Sequence, residues 1–151
     1  MSYTNFKFVD LEKQFGITQT QQELFDVTKI QNIPPSAWLL ETLEVGNLMP
    51  LRNEKPKSEH IIAPILAEIL RKQQNKIQLF SGENLEGDKK AKLNGEVDFL
   101  IVRYPKAVEL RDPIIAIAEA KKGDVEGGLG QCAAQMYGAR LFNKKAENDI
   151  E

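Results

Sequence analysis

Three side chains in this sequence could do chemistry together: Asp98, Glu119 and Lys121. Two carboxylates held a few ångströms apart repel, and burying them is costly unless a cation or hydrogen bonds offset the charge. Carboxylate oxygens plus water suit magnesium or manganese, which keep several waters and also bind phosphate. A divalent ion between two such acids would acidify a water and stabilise the charge of a phosphorane. An ammonium beside them would orient that water or neutralise a phosphate oxygen. The chemistry these residue types suit is metal-assisted phosphodiester hydrolysis.

Whether they meet depends on the strands that carry them. In IIAIAEAKKG, residues 114–123, side chains alternate across a strand, so Ile115, Ile117, Glu119 and Lys121 share one face. That face turns from apolar to charged at its C-terminal end. Glu119 stands between Ala118 and Ala120 in an apolar run, whereas Lys122 continues the charge outward. Another strand is expected over GEVDFLIVRY, with a loop around Pro105 to Pro113 between the two. An antiparallel hairpin centred between Val108 and Glu109 places Asp98 opposite Glu119 on one face, with Cβ atoms roughly 5 Å apart. A first strand, KIQLFSG, is expected to end at Ser81-Gly82. Strands this rich in Val, Ile and Phe, apolar on both faces, are expected to be covered on both sides.

At these residues the chain resembles the PD-(D/E)XK nuclease superfamily. GEVDFLIV carries the first acid, AEAKK the Glu-x-Lys, and the order helix, three strands, helix also fits. The resemblance implies an α/β fold: a three-layer α/β/α restriction-endonuclease-like core with a mixed sheet over residues 54–151, preceded by short N-terminal helices in residues 1–53. It makes Asp98 and Glu119 metal ligands for Mg2+ or Mn2+, with the Ala120 carbonyl a further candidate, and Lys121 the catalytic lysine. Glu59 matches an acid, here a metal ligand, that many members carry on the first core helix. Gln131 matches the glutamine that exonuclease-like relatives present from the helix after the lysine. Gln135, one turn on, and Lys122 fall on the substrate side. The implied substrate is DNA, with RNA behind it. The family pattern differs at Val97, where proline is usual, and in a fourth core strand, for which only NKKAENDIE remains. Either the chain is shortened or another chain supplies that strand, for instance in a homo-oligomer joined through an open sheet edge.

The elements upstream are read from periodicity. Ile61, Ile62, Ile65, Leu66, Ile69 and Leu70 repeat at a spacing of four, with Ser58 as N-cap; Pro64 implies either an irregular first turn or a kink. A short helix is expected from Thr20 to Ile30, on Leu24, Phe25, Val27 and Ile30. Another, capped by Ser36, should bury Trp38, Leu39, Leu40 and Leu43 and end at Gly46. Leu129, Cys132, Ala133, Met136, Arg140 and Leu141 suit a last helix, opened by GDVEGGLG, with an apolar stripe that includes Cys132.

With 151 residues, 42% of them hydrophobic, the chain suits one domain. Twenty Lys plus Arg against 22 Asp plus Glu give a net charge of −2, so no global basic field advertises nucleic acid, although local lysines can still hold phosphate. The single cysteine cannot form an internal disulfide, no run approaches the roughly 18 apolar residues of a membrane span, and the first residues do not resemble a secretory signal. A cytoplasmic protein with no membrane partner is expected. Simpler readings stand beside these roles. Glu59 suits a solvated first-turn acid, Gln131 and Gln135 boundary positions, and Gly127, Gly128 and Gly130 a flexible connection. Cys132 suits the core, and DKKAK a solvated loop. His60 alone leaves zinc and Ser-His-Asp schemes nothing to stand on. The rival function is a catalytically silent relative that binds nucleic acid or a protein partner.

Overall fold

The alternating apolar residues of the central segment pair as expected, and the helices then cover both faces of the resulting sheet. The computed structural model describes residues 2–23, 25–123 and 125–147. A 3-10 turn, Tyr3–Asn5, precedes α1 (Phe8–Phe15), α2 (Ala37–Asn47) and α3 (Glu54–Lys57). A π-helical turn, Ser58–Ile62, leads directly into α4 (Ala63–Lys72). Strands β1 (Gln78–Asp88), β2 (Leu93–Val102) and β3 (Ile114–Ala118) come next, followed by α5 (Val125–Lys145). The fold is mixed α/β, and its sheet, in the order β1-β2-β3, is antiparallel throughout the described residues rather than mixed.

One face of the sheet gathers Phe80, Leu100, Val102 and Ile114 with Ala134 and Ala139 of α5 and with Tyr3, Phe6 and Leu11 of the N-terminal segment. The other gathers Phe99 and Ile101 with Leu66 of α4. This two-sided cover is why β2 lacks a polar face from Phe99 to Val102, whereas past Gly82 β1 alternates exposed Asn84 and Glu86 with buried Leu85 and Gly87. No helix among the described residues is long and apolar enough to cross a membrane.

Several expected boundaries move for identifiable reasons. β1 does not stop at Gly82 but continues through it, with φ of +68°, to Asp88. DKKAK is then the hairpin turn, in which Asp88 Oδ1 accepts the amides of Lys90 (2.8 Å) and Ala91 (3.1 Å). Ser58 is not an N-cap, because the helix already begins at Glu54 after Asn53. The irregularity at Pro64 is the π turn itself: the Ala63 amide reaches back to the Ser58 carbonyl. This accommodates a residue whose ring would clash with the His60 carbonyl in a regular α-helix. That carbonyl also lies under Gly46 of α2, where a Cβ would come within 2.6 Å of it.

The expected helix from Thr20 to Ile30 is not formed. Among the described residues only a 3-10 turn, Val27–Lys29, appears there, with Phe25 71% and Val27 77% exposed; Leu24 lies outside the described residues. Helix α2 does start at a Ser36 cap, whose Oγ accepts the Leu39 amide at 3.2 Å, but of its expected apolar side only Leu39 is buried. The missing order is supplied by an anchor the periodicity did not disclose. Glu68 of α4, itself buried, accepts the Ser36 amide (3.0 Å) and hydroxyl (2.9 Å) and pairs with Lys72 and Arg71.

Candidate active site

The β2–β3 ladder pairs Phe99 with Ala118, Leu100 with Ile117 and Ile101 with Ala116. That is the register of the expected hairpin, and its continuation by one residue sets Asp98 against Glu119 just past the end of β3. Side chains there leave the sheet in two directions. Glu119 and Lys121 turn toward α5, whereas Ala120 and Lys122 line a cavity of about 660 Å³ together with Asp98, Glu59, Ser81 and Glu96. Asp98 joins the two regions: its Oδ2 accepts the Ala120 amide at 2.8 Å, tying the segment after β3 to β2.

Helix α5 supplies the supports. Gln131 Nε2 donates to Glu119 Oε1, while Gln131 Oε1 accepts the Lys121 ammonium at 3.0 Å. Gln135 Nε2 donates to Glu119 Oε2 at 3.3 Å. Gly128 makes room for Lys121: a Cβ there would sit 3.0 to 3.1 Å from the lysine stem. Gln131 and Gln135 are therefore not boundary residues. Both are buried, and the expected stripe is displaced around the helix, leaving Met136 60% exposed and Leu129 exposed as well.

Electrostatics follow from this placement. Burial pushes the Glu119 carboxyl above its ordinary value and the charge of Asp98 adds to the rise, against hydrogen bonds from Gln135 and the Asp98 backbone and the charge of Lys121. Burial likewise pushes up the Cys132 thiol, with Glu119 adding and Lys121 opposing. A thiol disfavoured as thiolate is no nucleophile, in keeping with a packing role.

Donor chemistry decides whether a divalent ion fits. Among the described residues no three His, Cys, Asp or Glu side chains form a group that could hold a metal ion. Glu59 thus does not complete a three-residue ligand set with Asp98 and Glu119. It stands on the π turn, half-exposed, 3.9 Å from Lys55 Nζ, and shares only the cavity with Asp98. The pair alone suits magnesium, which is usually held by one or two carboxylates with several waters retained. Two further observations fit: two acids close enough that one raises the pKa of the other, and a buried acceptor, Gln135 Oε1, with no hydrogen-bond partner among the described residues.

The structure brings Asp98, Glu119, Lys121, Gln131 and Gln135 to one end of the sheet and puts Lys122 and Glu59 around the adjoining cavity. Sequence reasoning missed that Lys55, Ser81 and Glu96 line this cavity. The available signal was Ser81-Gly82, taken as a strand end when it is a strand interior opposite the acid. None of the family models, curated proteins or solved structures compared with the chain matches it.

Proposed function

We propose that the chain is a metal-dependent nuclease of the PD-(D/E)XK type, hydrolysing phosphodiester bonds of DNA. The observation that carries this reading is the closeness of two acids, Asp98 on β2 and Glu119 one residue past the end of β3, with a lysine held beside Glu119 through one glutamine. Asp98 and Glu119 would hold Mg2+ or Mn2+, which when bound supplies charge neutralisation at the phosphate and acidifies water. Lys121, positioned by Gln131, sets its ammonium beside that carboxylate pair, where it orients the attacking water or stabilises a phosphate oxygen. Gln131 and Gln135 fix the Glu119 carboxylate so that both acids present oxygen without rotating away.

A second reading has its own observation. Both Glu119 oxygens are taken by glutamine amides, and neither Glu119 nor Lys121 lines the cavity, as suits a catalytically silent module that binds nucleic acid or a protein. A nuclease assay on linear, circular and single-stranded DNA, and on RNA, with each metal separates the two. Magnesium- or manganese-dependent cleavage that falls about 10²–10⁴-fold in Lys121→Ala supports the enzyme; undiminished cleavage by that variant refutes it.

A further inference from the structure

We propose that Lys55 and Lys122 form a clamp for backbone phosphates next to the one being hydrolysed, so that the site takes a polynucleotide strand in preference to an isolated phosphodiester. This rests on the nuclease reading of Asp98, Glu119 and Lys121.

The argument begins with how Lys122 is held. Its amide donates to Glu54 Oε1 at 3.4 Å and its carbonyl accepts from Lys57 Nζ. Two charged side chains of α3, more than sixty positions away in the chain, thus grip the backbone of one residue and leave its ammonium free of that task. Lys122 lines the cavity that Asp98 also lines. Lys55, next to Glu54 on the same short helix, lines that cavity too. The grip brings Lys122 to the cavity that Lys55 lines, independently of the charges of the two lysines. Among the described residues Lys55 pairs with Glu59, at 3.9 Å between exposed side chains. Such a pair is weak and readily exchanged for a phosphate.

Charge around the cavity argues for several phosphates. Among the described residues lining it, Lys55 and Lys122 are the cations, against the carboxylates of Glu54, Glu59, Glu96 and Asp98. An acid-rich wall repels a lone phosphodiester, and the field favours an anion only where an ammonium stands close. A strand whose scissile phosphate sits at the acid pair carries its next phosphates along the cavity, where the two lysines meet them. An isolated phosphodiester reaches neither.

The test compares a labelled oligodeoxynucleotide with bis(p-nitrophenyl) phosphate for wild type, Lys55→Ala, Lys122→Ala and Lys55→Arg. Each alanine variant is expected to lower the ratio of oligonucleotide to bis(p-nitrophenyl) phosphate kcat/KM by about tenfold, chiefly through KM. Each should also flatten the plot of log Kd against log salt, read by fluorescence anisotropy with calcium, by about one unit of slope. Lys55→Arg, which keeps the charge, should recover most of both. An unaltered ratio and slope in both alanine variants overturn the clamp even if the wild type cleaves DNA. A wild type inert on both substrates overturns the nuclease reading instead. In that event the two lysines are shown to hold backbone phosphates without hydrolysis if the oligonucleotide binds with the slope changes given, and the proposal falls entirely if it does not bind.

Discussion

Glu119 is the residue on which the site turns, and its burial gives it a measurable signature. Its carboxyl is raised by burial and by Asp98, so folding favours the protonated form. A raised group contributes stability that is complete below its unfolded value, near 4.5, and is lost as pH rises through the folded value. Ionising this carboxyl therefore costs more in the folded chain than in the unfolded one. Glu119→Gln is expected to raise the unfolding midpoint above that of wild type at neutral pH in metal-free buffer, a gain that fades as pH falls below the ordinary carboxylate range, while cleavage is lost. Thermal melts across that range check it; a lower midpoint at neutral pH would mean that the bonds from Gln131 and Gln135 outweigh desolvation. The residue-scale geometry was legible in the sequence because strand side chains alternate with a period of two, so one assumption about the hairpin centre placed Asp98 against Glu119. Glu68 was not legible: periodicity marks where apolar residues recur, and a buried acid is identified only by its partners, here Ser36, Lys72 and Arg71.

Element-scale order depends on close approach that hydrophobic patterning does not register. The buried face of α5 is made of Gly128, Gly130, Gln131, Ala134, Gln135, Gly138, Ala139 and Asn143, almost none of which an apolar stripe would pick out. Glycine matters because the N-terminal segment lies directly on the helix: a Cβ at Gly130 would come within 2.5 Å of the Phe6 carbonyl, and one at Gly138 within 2.1 Å of the Tyr3 hydroxyl. Tyr3 cannot easily retreat, since it is fully buried and donates to the Leu93 carbonyl at 3.0 Å. Gly138→Ala should therefore cost about 1–3 kcal/mol, as overpacking does. Tyr3→Phe removes the oxygen closest to the new methyl, so the double variant should lose less than the two single losses added together. Denaturant titrations of the four proteins measure this, and simple additivity would show that the helix shifts instead. Asn143 is a second feature of this face: it accepts the Ile114 amide and donates to the Ile114 carbonyl, both at 2.8 Å, capping one end of the free edge of β3 as a neighbouring strand would. The same element set explains why α1 escaped notice. Phe8, Leu11 and Phe15 have helical spacing, but eight residues are too few for periodicity to stand out, and order there comes from packing on α5.

At the scale of the whole molecule, net charge says little about where charge resides. A chain at −2 nonetheless gathers Glu54, Glu59, Glu96 and Asp98 around one cavity with Glu119 just behind it. The overall count was legible in the sequence, but this concentration arises only when α3, β2 and the segment after β3 meet at one end of the sheet. If the proposed metal site is real, a divalent ion that binds the folded chain alone should stabilise it by mass action. At a hundredfold excess over its dissociation constant the gain is about 2.7 kcal/mol. For a domain of this size that is a rise of roughly 5–10 °C in the unfolding midpoint. Magnesium and manganese titrations followed by thermal melting measure it, with sodium chloride at matched ionic strength to remove the contribution of screening. Asp98→Ala takes away half of the proposed ligand pair and should abolish the divalent-specific part of the rise. Equal rises in wild type and variant would place any ion elsewhere among the surface acids, and the pairing of Asp98 with Glu119 would then have no cation to explain it.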